Sequence, residues 1–232
     1  MNTRLSRPLI APFLKNNGID IADFEGAPFA NFNACFSRRI KDGLRPIAPP
    51  PAFIAPCDAL LSAYRITGDT VIPVKQSRFT VSALLGGDPV AARYVDGVCL
   101  VFRLCVQHYH RYHYVDDAVK GENVFIKGKL HTVRPIALRE VPVFVENCRE
   151  YTVMDTVHFG TVTQVEVGAL LVGRICNRDG AGEVKRGAEK GMFLYGGSTV
   201  ILLLEKGRVQ FPETLFAATA DGEETPVRLG EA

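Results

Sequence analysis

The first pattern with chemical potential is the tetrapeptide Gly-Gly-Ser-Thr at residues 196–199. It lies between two apolar runs, residues 191–195 and 200–204, and two glycines in that position are typical of a tight turn between strands. A second interpretation is chemical, because a Gly-Ser bond can cleave itself when the serine hydroxyl attacks the preceding carbonyl. Elimination and hydrolysis then leave a pyruvoyl group, an electrophilic ketone, in place of Ser198. The segment therefore predicts either a turn or a cofactor made from the backbone.

Three histidines, His108, His110 and His113, lie close together in the sequence. On a strand, His108 and His110 share a face, and His113 lies on the other face unless the strand bends or ends nearby. One interpretation is a metal site, but the spacing is not that of a common zinc site. The others are polar histidines at a strand end and acid–base catalysis, since imidazole titrates near neutral pH. We predict no bound metal.

A lone carboxylate, Asp58, follows Pro56 and Cys57 and precedes small and apolar residues. A residue of this type after a proline usually belongs to a turn. The alternative is a buried carboxylate that orients a histidine, as the third member of a Ser-His-Asp arrangement. The local sequence leaves both interpretations open.

The elements that must position these residues are mostly strands. From about Ala52 onward, short β-branched or aromatic runs recur between Gly, Pro, Asp and Asn, as in residues 71–74, 97–104, 161–167 and 200–204. Many short strands at close spacing predict a mainly β fold, an antiparallel barrel or sandwich.

A few short helices are expected, mostly N-terminal. Residues 9–16 and 31–40 are candidates, the second with Asn31 or Asn33 as its cap, and residues 78–85 show the best helical periodicity further on. We therefore predict a helical or irregular N-terminal segment, residues 1–47, followed by a β domain, residues 48–232.

Composition places the chain among ordinary globular proteins. Its 232 residues are 47% hydrophobic and 22% charged, with a net charge of +2, and no basic run is long enough for a nucleic-acid surface. No apolar stretch reaches the roughly 18 residues of a transmembrane helix, and the N-terminus lacks the features of a signal peptide. The six cysteines include no Cys-x-x-Cys pair and are expected to be reduced. We expect a cytoplasmic protein, at most peripheral at a membrane.

Taken together, these segments resemble the phosphatidylserine decarboxylase family. Pro56-Cys57-Asp58 resembles the family's Pro-x-Asp-Gly motif, and residues 109–113 resemble its Tyr-His-Arg-x-His motif. The match continues in the family's order from about residue 17 to residue 206. Further matching segments are residues 31–39, 45–47, 130–138, 147–151, 165–173, 189–193 and 196–199.

The resemblance implies self-processing at the Gly197–Ser198 bond. Ser198 would be the nucleophile and the source of a covalent pyruvoyl cofactor, and Gly197 would supply the scissile carbonyl. Cleavage would give a β chain of residues 1–197 and an α chain of residues 198–232. A homodimer is also implied.

The resemblance also implies roles for the other candidate residues. His113 would take the Ser198 proton, and Asp58 would hold His113 in the required tautomer. His110 would lie near the substrate and return a proton to its α-carbon.

The implied reaction is decarboxylation of the serine head group of phosphatidylserine through a Schiff base, which gives phosphatidylethanolamine and CO2. The alternative is a soluble pyruvoyl-dependent decarboxylase of a free L-amino acid, methionine or an aromatic one. Two departures from the family bear on this. Ala59 stands where the motif has glycine, and residues 8–15 would be a poor membrane anchor, because they are short and interrupted by two prolines.

Two other classes of protein remain open from the residues. One is a β-rich binding module that kept the fold and lost its chemistry. The other is a metal-dependent hydrolase that uses the histidine cluster.

Overall fold

The computed structural model describes residues 1–68, 70–71, 79–129, 143–168, 175–195 and 198–232. Gly196, Gly197 and the matching segment 130–138 lie outside the described residues. The strands of the described part are β1 (Ala59–Thr67), β2 (Thr70–Val71), β3 (Phe79–Thr80), β4 (Val98–Leu104), β5 (Arg111–His113), β6 (Ala118–Lys120), β7 (Val124–Ile126), β8 (Arg149–Thr156), β9 (Gly160–Val167), β10 (Ile175–Asn177), β11 (Gly182–Val184), β12 (Glu189–Phe193), β13 (Ser198–Leu204) and β14 (Thr225–Val227).

The helices of the described part are all short. The α-helices are α1 (Ile10–Asn16), α2 (Phe32–Phe36), α3 (Val81–Leu84), α4 (Val143–Glu146) and α5 (Glu213–Ala220), and 3-10 helices span Arg4–Leu9, Ile21–Asp23 and Pro89–Tyr94. The three helices predicted from the sequence are present as α1, α2 and α3. Helices are also found well beyond residue 47, so they are spread along the chain more evenly than the sequence pattern indicates.

The strands form two antiparallel sheets. The large sheet has the order β11-β6-β8-β9-β13-β4-β1-β2-β3, with β14 added to β1 and β7 added to β8, and the small sheet has the order β10-β12-β5. The predicted mainly β, antiparallel fold is confirmed. Over the described strands the large sheet is an open path and not a closed barrel.

The central strand of the large sheet is β13, which pairs with β4 on one side and with β9 on the other. Every residue from Ser198 to Leu204 is buried, which explains the uninterrupted apolar run after Thr199. Val200 and Leu202 face the side of the sheet that packs against Tyr112 and Phe193 of the small sheet. The alternate residues face the other core, with members such as Ile201, Leu203, Val165, Tyr94 and Leu84.

The N-terminal segment packs against the strand that carries the histidines. Asn31 caps α2 by accepting a hydrogen bond from the Ala34 backbone N–H at 2.9 Å, as predicted. Further on, the Phe36 ring lies 4.0 Å from the His110 ring, and the Arg111 guanidinium donates to the Ser37 carbonyl at 2.7 Å. These contacts bring the first forty residues to the region of the predicted catalytic groups.

Among the residues that the structure describes, no helix is both long enough and apolar enough to cross a bilayer.

Candidate active site

Ser198 is the first residue of the central strand β13 and lies opposite Leu104, the last residue of β4. Its side chain is fully buried, and its hydroxyl oxygen has no hydrogen-bond partner among the described residues. A buried hydroxyl without a partner is costly, by about 1–3 kcal/mol, and such groups are rare unless they serve a function. The candidate nucleophile is therefore buried at the start of the central strand, with its hydroxyl left without a partner among the described residues.

The loop after β4 brings His108 to the same end of the sheet. Leu104 lies opposite Ser198, and the next residue, Cys105, donates its backbone N–H to Nδ1 of His108 at 3.0 Å. Because Nδ1 accepts this bond, the ring carries its proton on Nε2. Burial lowers the pKa of His108, so the ring is neutral near pH 7.

His110 is completely buried and has the opposite tautomer. Its Nδ1 lies 2.9 Å from the His108 carbonyl oxygen, which can only accept, so Nδ1 carries the proton. Its Nε2 keeps a lone pair and has no partner among the described residues. Burial, followed by repulsion from Arg38, lowers the pKa of His110 to about 3. His110 is thus a neutral base, and it must first bind a proton before it can donate one.

His113 ends β5 and is also buried. Its Nδ1 has no partner among the described residues, and burial lowers its pKa to about 4. The His113 backbone N–H donates to the Pro56 carbonyl at 2.9 Å, which anchors this strand end two residues away from Asp58. His113 is therefore neutral at physiological pH and available as a general base.

Asp58 is buried, and its carboxylate is bound by Arg45. The guanidinium donates from Nε to Oδ1 at 2.9 Å and from its terminal nitrogen to Oδ2 at 2.6 Å, and the Leu229 backbone N–H donates to Oδ1 at 2.9 Å. No hydrogen bond joins Asp58 to His113 among the described residues, so the orienting role of Asp58 stays a prediction. The Asp58 carboxylate is instead bound to the Arg45 guanidinium.

Arg38 and Arg111 are two arginines to which the sequence interpretation gave no role. Arg38 is almost completely buried, and one terminal nitrogen donates to the Gln107 carbonyl at 2.7 Å and to the His108 carbonyl at 3.0 Å. Arg111 donates to the Ser37 carbonyl and forms an ion pair with Glu189 at 2.7 Å. Together they connect the end of α2 to the segment between β4 and β5, residues 105–110, which we call the histidine loop. Both arginines lie in segments that match the family, which was the available signal for their importance.

A second feature missed by the sequence interpretation is a buried polar network between the two sheets. The Lys190 ammonium donates to both oxygens of Glu166 at 2.9 Å and to the Asn177 side-chain oxygen at 2.8 Å. The Tyr112 hydroxyl also donates to Asn177, at 3.1 Å, and Gln164 donates to Glu166 at 3.0 Å. The sequence signal for this network was a charged residue inside each of two strand-like runs, Glu166 in one and Lys190 in the other.

The histidine cluster does not assemble a metal site. Within the described ranges, no three His, Cys, Asp or Glu side chains come together in a way that could hold a metal ion. Nδ1 of His108 and Nδ1 of His110 are both occupied by backbone groups. These two hydrogen bonds fix the tautomers of both rings, so Nε2 of each ring is the nitrogen that remains for a proton or a ligand.

Comparison with known proteins gives one consistent result. The family profile described as phosphatidylserine decarboxylase matches residues 32–232. A phosphatidylserine decarboxylase proenzyme 2 of Clostridium acetobutylicum is 38% identical over 231 residues, which cover 99% of this chain and 79% of the relative. Phosphatidylserine decarboxylase proenzymes of Clostridium botulinum (strain 657) and Clostridium beijerinckii are 36% and 37% identical over 236 residues, with 99% of this chain and 80% of each relative covered.

Proposed function

The chain belongs to the phosphatidylserine decarboxylase family, and from that premise we propose that it is a proenzyme. It cleaves itself before Ser198 and then decarboxylates phosphatidylserine with the pyruvoyl group left at that position. The observation that carries the proposal is the buried, unpartnered Ser198 hydroxyl at the start of the central strand, in a chain whose similar relatives are named proenzymes. A serine held in this way fits a nucleophile that reacts with its own backbone.

The self-cleavage is an acyl shift followed by elimination. Ser198 Oγ bonds to the Gly197 carbonyl carbon while the peptide C–N bond breaks, which converts the amide to an ester and leaves a free amine. Loss of the α-proton breaks the ester C–O bond and releases the new carboxylate of Gly197. Water then replaces the nitrogen, which leaves as ammonia, and the α chain begins with a ketone. Overall, the self-cleavage of one precursor chain consumes one water molecule and releases one ammonia.

His113 is the base that we assign to the first step. Its neutral ring, kept neutral by burial, can accept the Ser198 proton at physiological pH. Asp58 would stabilise the imidazolium that forms, provided that its carboxylate turns from Arg45 toward the ring. Retention of a histidine, a carboxylate and a buried serine supports an active enzyme over a binding module that has lost its chemistry.

In the decarboxylation, the pyruvoyl group would supply an electrophilic carbonyl that accepts the electrons released when CO2 leaves. His110 handles the proton. The substrate ammonium must lose a proton before its nitrogen can attack, and the free lone pair on Nε2 of His110 can accept that proton. The same nitrogen can later return that proton to the α-carbon, and the product amine takes up a further proton from solvent when it is released as ammonium, because replacement of CO2 by hydrogen consumes one proton overall.

A phospholipid substrate also implies a location and an assembly. We propose a cytoplasmic protein that contacts a membrane peripherally, acts as a homodimer, and combines an N-terminal segment of residues 1–47 with a catalytic domain of residues 48–232. The packing of α2 against the histidine loop supports a catalytic unit that needs the N-terminal segment.

The test is a denaturing intact-mass spectrum of the purified protein. We expect two chains, 1–197 and 198–232, with the smaller one lighter by one ammonia than the same peptide begun by serine. The Ser198→Ala variant should give one uncut chain without activity. Ser62→Ala is the matched control, because Ser62 is also a buried strand serine but lies on β1. A wild-type chain of unbroken mass would contradict the proposal and favour the binding module.

A further inference from the structure

Arg38 is a buried cation that is compensated by backbone carbonyls. The residue is only 1% exposed, and no carboxylate of the described residues forms an ion pair with it. Its guanidinium donates to the carbonyls of Cys35 at 3.3 Å, Gln107 at 2.7 Å and His108 at 3.0 Å, and it lies over the Phe24 ring, 4.5 Å from the ring centre. A buried charge is costly unless polar groups surround it. These carbonyls are therefore essential partners of Arg38.

The His108 carbonyl joins Arg38 to His110. Its oxygen accepts one hydrogen bond from a terminal nitrogen of Arg38 at 3.0 Å and a second from Nδ1 of His110 at 2.9 Å. A carbonyl oxygen has two lone pairs, and these two donors use both of them. The guanidinium and the imidazole are thus neighbours that share one acceptor.

The direction of this carbonyl depends on Arg38. The carbonyl lies in the histidine loop, which is outside the described strands and helices. Two bonds hold the loop to the end of β4, from the His108 N–H to the Cys105 carbonyl at 2.9 Å and from the Cys105 N–H to Nδ1 of His108 at 3.0 Å. Neither bond involves the His108 carbonyl. Because no strand ladder fixes the carbonyls of a loop, Arg38, which bonds two consecutive ones, supplies that constraint.

The direction of the carbonyl in turn decides the tautomer of His110. An acceptor at Nδ1 requires the proton to be on Nδ1, which leaves the lone pair on Nε2. The ring is held from two further sides, by Phe36 at 4.0 Å between ring centres and by the Phe193 N–H, which donates to the His110 carbonyl at 2.9 Å. If the His108 carbonyl turned away, Nδ1 would lose its acceptor and the proton could move to Nε2.

Arg38 also places a positive charge beside the ring. Arg111, the next residue after His110, is paired with Glu189 at 2.7 Å. Cysteine and tyrosine side chains are ordinarily neutral at pH 7, and His108 is neutral as well. Burial, followed by repulsion from Arg38, lowers the pKa of His110 to about 3. The charge and the hydrogen bond of Arg38 therefore act in the same direction, since both keep Nε2 unprotonated. The titratable groups in the described segments around the ring are Cys35, Arg38, His108, Arg111 and Tyr195.

We propose that Arg38 is the positioning residue of His110: it holds the His108 carbonyl in place, and that carbonyl fixes the tautomer that leaves Nε2 free to accept the substrate proton. The inference rests on the proposed function, because it takes His110 to be the base in the decarboxylation. In serine triads a carboxylate orients the histidine. Here a backbone carbonyl has that task, and an arginine supports the carbonyl.

The test is nitrogen-15 NMR of the imidazole rings in the uncut Ser198→Ala protein, with the His110 signals assigned from a His110→Gln variant. With Arg38 present, we expect the proton on Nδ1 and a neutral ring down to about pH 5, because the pKa is about 3. Arg38→Gln should give a mixture of tautomers, with part of the proton on Nε2, and the ring should titrate at higher pH. Arg39→Gln is the matched control, because Arg39 is the adjacent arginine and its side chain is exposed.

A folded Arg38→Gln protein with the same His110 spectra as Arg39→Gln would overturn the proposal. So would a protonated Nε2 in the protein that retains Arg38, a result that requires no Arg38 variant to fold. Arg38→Lys keeps the charge but lacks the fork that bonds two carbonyls, so it should keep the low titration and partly release the tautomer. A wild-type tautomer in both Arg38 variants would assign the effect to other groups.

In the processed enzyme, Arg38→Gln should lower kcat for phosphatidylserine by about tenfold or more with KM little changed, because it weakens a general base and removes no substrate contact. A rise in KM at constant kcat would overturn the positioning role. The NMR spectra come from uncut protein and need no activity. A wild-type chain that fails to cleave would therefore refute the proposed function and leave the spectroscopic result unchanged.

Discussion

Lys190 and Glu166 form a fully buried ion pair that joins the two sheets. Both side chains have no exposed surface, and the Lys190 ammonium lies 2.9 Å from each Glu166 oxygen. Glu166 lies on β9 opposite Val200, on the face of β13 that also carries Ser198. Lys190 lies on β12, which pairs with the histidine strand β5. The ion pair therefore sets the position of the histidine strand relative to the serine strand.

Removing one member of this pair should destabilise the protein. Lys190→Met leaves the Glu166 carboxylate buried without a counter-charge, and we expect a loss of about 3–5 kcal/mol in the free energy of unfolding. Burial already raises the pKa of Glu166, against the opposing effect of Lys190. Urea denaturation measures the loss.

The double variant Lys190→Met/Glu166→Leu is the control. It removes both charges and should recover most of the stability of the single variant. The pair also positions the two strands, so self-cleavage before Ser198 should be slower than in the wild type even in the double variant. Gel electrophoresis over time measures this rate. A single variant as stable as the wild type would contradict the interpretation.

The two histidines should act at different steps. His113→Gln removes the base for Ser198 and should slow self-cleavage by about 100-fold or more. His110→Gln should cleave at close to the wild-type rate, and the processed enzyme should lose decarboxylase activity. Intact-mass time courses and CO2 release separate the two effects. Equal cleavage rates in the two variants would refute the division of roles.

The stability of the fold should decline as the pH falls below about 6.5. The pKa of His113 is about 4 and that of His110 about 3 in the folded protein, below the ordinary value of 6.5, because burial favours the neutral rings. The unfolded chain therefore binds more protons between these values, so stability is fully present above pH 6.5 and is lost as the pH falls toward 4.

The size of the lowered histidine pKa values also sets the expected loss of stability and suggests a control variant. Each histidine should contribute roughly 1–2 kcal/mol of this loss between pH 6.5 and 5. His110→Phe removes one titrating ring that lies against Phe36, and the unfolding free energy of this variant should vary less steeply with pH. Denaturant titrations at several pH values measure both slopes, and parallel slopes would contradict the prediction.

Arg45 should matter for self-cleavage through the geometry of its bond to Asp58. The guanidinium contacts both carboxylate oxygens in a fork that an ammonium group cannot reproduce, so Arg45→Lys should only partly replace it. Arg45→Met leaves Asp58 largely buried with one backbone donor, and we expect a loss of about 1–3 kcal/mol in stability together with a changed cleavage rate.

Comparison of Arg45→Met with Asp58→Asn in cleavage assays reveals the sign of the effect. Faster cleavage in Arg45→Met would show that Arg45 withholds Asp58 from His113, and slower cleavage would show that it holds Asp58 in place. Wild-type rates and stability in both Arg45 variants would rule out either role.

Much of the local structure could be predicted because it depends on neighbouring residues. The Asn31 cap, the helices α1 and α3, and the strands around β4, β9 and β13 follow from capping groups and side-chain periodicity. Ser198 and the histidines were identified in the same way, from residue type and spacing. The partners of these residues could not be predicted, because they come from distant parts of the chain.

The sequence by itself determined the mainly antiparallel architecture and the family, and it singled out Ser198 as the candidate nucleophile. Only the tertiary structure decided that Asp58 is bound by Arg45, that Lys190 contacts Glu166, and that His113 lines a cavity together with Ile40 and Leu229. The reason is physical. A periodic pattern specifies which face of a strand is buried, whereas the pairing of buried charges depends on which strands lie side by side and in what register.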